Sequence, residues 1–161
     1  MAQTTLSDIA EAAGIAKGTL HYYYKNKSDL LFELAERHSV DLSKRFIQLA
    51  ETHNSQTERN AALNDILSEI MSGNRSGILI HLLIEGATGN GDLQEKFRTL
   101  YQEWSSTILE GFQNITGSTI SSEQSDIILS SLIGLIFNTV VTEKTIDPDL
   151  FLRFLLSGVR E

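Results

Sequence analysis

At 161 residues the chain can hold one sizeable core or two small lobes that share an element, and its lack of cysteine excludes disulfides, thiolate zinc sites and cysteine nucleophiles. Its net charge of −8 sets it against nucleic acid except where a local cationic patch faces outward. One proline, Pro148, and no strand-like alternation predict an all-α fold.

Thr5 or Ser7 can cap a first helix whose apolar side is Leu6, Ile9, Ala10 and Ala13. Gly14 then stops it, because glycine takes the left-handed conformation without steric cost and lets the chain reverse before Ala16-Lys17-Gly18 opens a second helix. Ile15 and Leu20 are expected to face inward and lock the pair. Lys17, Thr19, His21 and Tyr22 are left outward, all able to donate hydrogen bonds to phosphates or base edges. This is the pattern of a DNA-reading helix-turn-helix. Residues 14–27 hold three lysines and no acid, which leaves −11 on the remainder and makes one small cationic docking face on an acidic body.

Asn26 caps the next element, with Asp29 at its third helical position favourable to the helix dipole, and no breaker follows until about residue 52. Leu31, Leu34, Ala35, Leu42, Phe46 and Leu49 keep a helical period, so one long helix is predicted to join the reading head to the rest and to transmit tilt between them. Helices are then expected over about 58–71 and 76–87, separated by a break at Ser72-Gly73-Asn74. After a turn at Gly89-Asn90-Gly91 a long helix follows over about 93–115. A polar loop at 118–122 leads into a helix over 123–142 capped by Ser121 or Ser122, and Asp147-Pro148 starts the last helix with proline at its first position.

The last two helices are apolar nearly all round: Ile127, Ile128, Leu129, Leu132, Ile133, Leu135, Ile136, Phe137, Val140 and Val141, then Leu150, Phe151, Leu152, Phe154, Leu155, Leu156 and Val159. Such surface is expected to be shared with a second copy, giving a four-helix interface through 123–142 and 148–159, with Ser130, Ser131 and Gly134 allowing close approach. The run 127–141 is read as too short and too interrupted to span a bilayer, and with no signal peptide ahead of Thr4 a cytoplasmic protein without membrane partners is expected. No glycine-rich phosphate loop, His-Glu-x-x-His, nucleophile elbow or cysteine-histidine set is present, so neither an enzyme nor a cofactor is expected.

Thr5, Ile9-Ala10, Ala13-Gly14, Gly18-Thr19-Leu20, Tyr23-Tyr24 and Lys27 together resemble the tetracycline-repressor (TetR) family of bacterial regulators, densely over residues 4–36 and weakly beyond. Two positions depart from the family pattern: His21 stands where tyrosine is usual, and Ala16 where a capping serine or threonine is common. The chain also begins almost at the family's second helix, so the helix that normally precedes the motif is expected to be missing. The resemblance implies a helix-turn-helix lobe over 1–45, including the start of the connecting helix, and an effector-binding and dimerisation domain over 46–161. It implies a dimer bound to double-stranded operator DNA, most often as a repressor, and modulated by a small molecule. DNA contacts are expected from Lys17, Gly18, Thr19, His21 and Tyr22, with Thr5, Tyr23 and Lys27 on phosphates. A mostly apolar pocket is expected from Ile84, Phe97, Tyr101, Trp104, Ile108 and Phe137, joined by Ile80, Leu83, Leu100 and Phe112, with His81, Glu85, Gln102 and Asn138 as polar anchors. His81 and Glu85 lie one turn apart, but no second histidine is near in sequence and no metal is expected. The alternative reading is a dimeric ligand-binding or interaction module that has lost DNA binding with the first helix.

Overall fold

The computed structural model describes residues 4–53, 55–72, 74–144 and 146–158, and among these there are eight helices and no strand. They are α1 (Leu6–Ala12), α2 (Lys17–Tyr23), α3 (Lys27–Thr52), α4 (Gln56–Ser72), α5 (Asn74–Ala87), α6 (Gly91–Thr116), α7 (Ser122–Thr142) and α8 (Pro148–Gly158).

The start of α1 is a capping box. The Thr5 hydroxyl accepts from the Asp8 N–H at 3.2 Å, and the Asp8 carboxylate accepts from the Thr5 N–H at 2.7 Å. Gly14 takes the left-handed conformation, φ 68°, and the Ile15 N–H closes the helix end on the Ala10 carbonyl at 3.0 Å. Leu6, Ala10 and Leu20 form the head's core, with Ile9, Tyr24 and Leu30 packed around them. Ile15 is not part of it. Tied into the corner by that terminal bond, it is 44% exposed, and Ala13, the cap residue of α1, is exposed too.

Asn26 caps α3, its side chain accepting from the Asp29 N–H at 2.8 Å, and the helix runs unbroken for 26 residues, about 39 Å at 1.5 Å per residue. It is the spine of the body and packs most extensively on α6. Leu34, expected inside, is exposed, because the face buried against α6 is that of Leu31, Phe32 and Ala35. Close contact between the two helices further along depends on Gly111 of α6: a Cβ there would overlap the Phe46 ring of α3.

Three apolar clusters hold the body. Leu31, Phe32, Leu82, Leu93, Phe97 and Leu100 close the end under the head. Leu49, Ile66 and Ile115 tie the far ends of α3 and α6 to the middle of α4, and Leu67, Phe151 and Leu152 join α4 to α8. Asn90 caps α6 through Leu93 N–H at 3.1 Å, and Ser121 with Gln124 forms a second capping box at α7. Contrary to the sequence reading, α7 is long and apolar enough to cross a bilayer by length and composition. In the fold it packs on α4, α5 and α6 and leaves Ile127, Phe137, Val140 and Val141 exposed. On α8, Leu150 and Phe154 are exposed as well, while Gly73, Val159 and the side chain of Leu156 lie outside the described residues.

Candidate nucleic-acid interface and buried cavity

Only Leu20 of α2 is buried, so its remaining side chains are free to meet something else. Lys17, Thr19, His21, Tyr22 and Tyr23 are all exposed, and Tyr22 and Tyr23 meet edge to face with ring centroids 5.2 Å apart. The Lys17 ammonium lies 3.5 Å from the Glu11 carboxylate, but both groups are solvated and such a pair contributes only ~0–1 kcal/mol. Lys27 opens α3 beside α2 and is half-buried. Gly18 has open space where a Cβ would stand, so nothing within the chain requires glycine there. Thr5, expected on a phosphate, is exposed and bonded within its own cap. Its hydroxyl donates to Asp8 Oδ2 at 2.8 Å and accepts in the cap, so a phosphate would compete with Asp8 for that donor.

A cavity of about 220 Å³ lies within the body, walled by α3 to α8. Of the pocket residues expected from sequence, Trp104 and Ile108 line it, as does Phe112. The others lie elsewhere. Phe97 is closed into the core against Phe32, ring centroids 5.2 Å apart, while Ile84 and Phe137 face outward. The Tyr101 hydroxyl reaches Ser130 Oγ at 3.3 Å and bridges α6 to α7.

Glu85 does structural work at the head's end of the body. Its two oxygens lie 2.8 and 2.7 Å from the Ser28 hydroxyl at the start of α3, and it also accepts from Asn90 Nδ2 at 2.8 Å. These hydrogen bonds, Ser28 first, hold its carboxyl below the usual range, and His81 Nε2 lies 3.9 Å away. With Lys96 on Asp29 at 2.7 Å, they fasten the first turn of α3 to α5 and α6.

The cavity residues that sequence reasoning missed lie on α3, α4, α5, α7 and α8, among them Leu42 and Phe46, Leu63 and Ile70, Leu79, Leu132 and Ile136, and Phe151 and Leu155. Its charge sits on one side, at His38, Glu69 and Arg75. Arg45 donates to Glu69 Oε2 at 2.7 Å, and that bond first of all lowers the Glu69 pKa and raises that of Arg45. Arg75 Nη1 donates to His38 Nδ1 at 3.1 Å, and burial, followed by the Arg75 charge, pushes the His38 pKa down. His38 thus accepts from Arg75 at Nδ1, and its Nε2 faces Glu69 Oε1 at 3.9 Å.

Comparison with known proteins agrees with the helix-turn-helix and the all-α fold. Residues 1–34 match the family described as bacterial regulatory proteins, tetR family. Over 153 residues, 95% of this chain and 80% of theirs, the sequence is 25% identical to HTH-type transcriptional regulators of Staphylococcus aureus strains bovine RF122 and USA300. The fold is similar to that of the fatty acid degradation regulator FadR from Bacillus halodurans, with a TM-score of 0.68 over 99% of this chain and 88% of that one; at 20% identity this likeness carries the fold alone.

Proposed function

Because the chain is a TetR-family transcriptional regulator, an all-α protein with a DNA-binding helix-turn-helix, we propose that it is a cytoplasmic, homodimeric repressor released from its operator when a small molecule fills the cavity. The observation that carries this reading is α3. One unbroken helix starts beneath the reading head, pinned by Ser28 to Glu85, and continues as a wall of the cavity at Leu42 and Phe46. A ligand that tilts or straightens it moves the head as a rigid extension.

Lys17, Thr19, His21 and Tyr22 are the groups for the major groove, with Tyr23 and Lys27 on the backbone. The open space at Gly18 suits close approach of a phosphate strand. The exposed Ile127, Phe137, Val141, Leu150 and Phe154 supply the surface for a second copy, and the α7 side of Gly134 is open to it. Pairing of this kind sets two heads at the ~34–36 Å spacing of successive major grooves.

The test is binding to a labelled duplex from the gene's own upstream region at two salt concentrations, with random DNA as competitor. Lys17→Ala is expected to cost ~1–3 kcal/mol and relax discrimination, whereas Lys27→Ala should weaken all duplexes alike and flatten the salt slope by about one. Binding no better than to random DNA, or indifferent to both substitutions, would sink the assignment.

A further inference from the structure

The cavity is apolar on most of its walls, and its charge is gathered where the middle of α3, the last turn of α4 and the first turn of α5 meet. Glu69 is satisfied there by Arg45 at 2.7 Å, and Asp41 stands 3.9 Å behind on the same arginine. Arg75 is less well matched. It comes no closer than 3.8 Å to Glu69, and its hydrogen bond among the described residues goes to the imidazole of His38. A guanidinium resting on a neutral lone pair, at the edge of an apolar chamber, gains from exchanging that contact for a carboxylate, which accepts two parallel N–H bonds.

We propose that the cavity takes an amphiphile with a single carboxylate and a hydrocarbon body, the carboxylate docking on Arg75 and the hydrocarbon lying among Trp104, Phe112, Ile136 and Phe151. The walls disfavour water-loving bodies: of the wall hydroxyls, those of Ser39, Ser76, Thr107 and Thr116 already donate to backbone carbonyls, and a sugar or nucleotide would leave most of its own hydroxyls against aliphatic and aromatic side chains. A cationic head is disfavoured because two arginines already face Glu69, which an ammonium would have to displace. A polyanion is disfavoured because one under-matched guanidinium on a chain of net −8 cannot balance it. This inference names the ligand class for the effector reading above and rests on it for regulatory meaning, while ligand binding is measured without DNA.

Trp104 is the chain's one tryptophan and lines the cavity, so its emission reports occupancy. The protein is titrated below the micellar range with decanoate and hexadecanoate, and with decanol and decyltrimethylammonium as neutral and cationic probes. The acids should give saturable changes, with decanoate binding ~tenfold or more tightly than decanol, as one charge-assisted hydrogen-bonded pair requires. Arg75→Gln, at a largely solvated side chain, should bring decanoate down to the decanol level and leave decanol unchanged, and Arg75→Lys should restore part of the preference.

Equal or tighter binding of the alcohol or the cation would overturn the proposal. So would an acid preference that survives Arg75→Gln, or no saturable change with either acid. Acid binding with this signature that leaves the operator complex intact would instead overturn release by cavity filling while the ligand class stands. Release by some other molecule, with no acid preference, would do the reverse.

Discussion

In the head, Leu6, Ala10 and Leu20 are buried almost completely by two seven-residue helices and the start of a third, whereas the body buries three clusters and leaves among its helices a partly open cavity of about 220 Å³. The head has no slack: each of its core side chains is a large part of what keeps α2 in place, and its exposed groups are those proposed above to meet DNA. The body has slack by construction, since the side chains around its cavity have room to move. A small tight lobe joined by one helix to a loosely filled one means that stability is distributed differently in the two, and under the proposed function so are recognition and response.

The sharpest way to break that contrast is Leu20→Ala. Removing a buried leucine costs ~2–5 kcal/mol, and in so small a core this is enough to melt α2 off α1. Duplex binding should be lost, the helical circular dichroism should fall by about the head's share, and Trp104 emission and ligand titration should be unchanged. A cooperative collapse of both lobes would mean that the head's core is not separate from the body's.

The head was legible in the sequence because its determinants are local. A capping box, a left-handed glycine and a three-and-four spacing are written within a few residues of one another, and Thr5–Asp8, Gly14 and Asn26–Asp29 all act as caps and turn in the structure. The long α3 and the proline start of α8 were legible for the same reason. The cavity was not. Phe97 and Trp104 are seven residues apart on one stripe of α6, yet Phe97 closes a core against Phe32 while Trp104 lines the void. Periodicity gives the stripe but not the point along it where packing stops. Likewise the spacing of His81 and Glu85 marks one face of α5, and only the register of α5 against α3 turns Glu85 onto Ser28. The faces of α3 and α4 that line the cavity read as ordinary core, because a wall and a core use the same residues.

Gly111→Ala probes the slack of the body. The added methyl would collide with the Phe46 ring, and overpacking of this kind typically costs ~1–3 kcal/mol. Phe46 lines the cavity, so its ring has somewhere to go: the expected result is a loss at the lower end of that range, with the ring displaced into the chamber and ligand affinity reduced. Thermal unfolding and Trp104 titration on the same sample check both halves. A large loss of stability with ligand affinity intact would mean that α3 and α6 are forced apart instead.

Ala16→Ser is the smallest and most local of these changes. Ala16 begins α2 with an extended backbone, φ −63° and ψ 133°, and contributes no side-chain cap, so a serine hydroxyl there can accept from one of the first amide donors of the helix. The expected gain is ~0.5–1 kcal/mol, confined to the head. It should be read as several-fold slower exchange of the α2 amides with no shift in the unfolding of the body followed at Trp104. If the body's transition rises by the same amount, head and body unfold as one unit, and α3 couples them in stability as well as in geometry. If only α2 gains, the head opens independently, and a ligand in the cavity must act by reorienting α3, since it would have no route to loosen the reading helix itself.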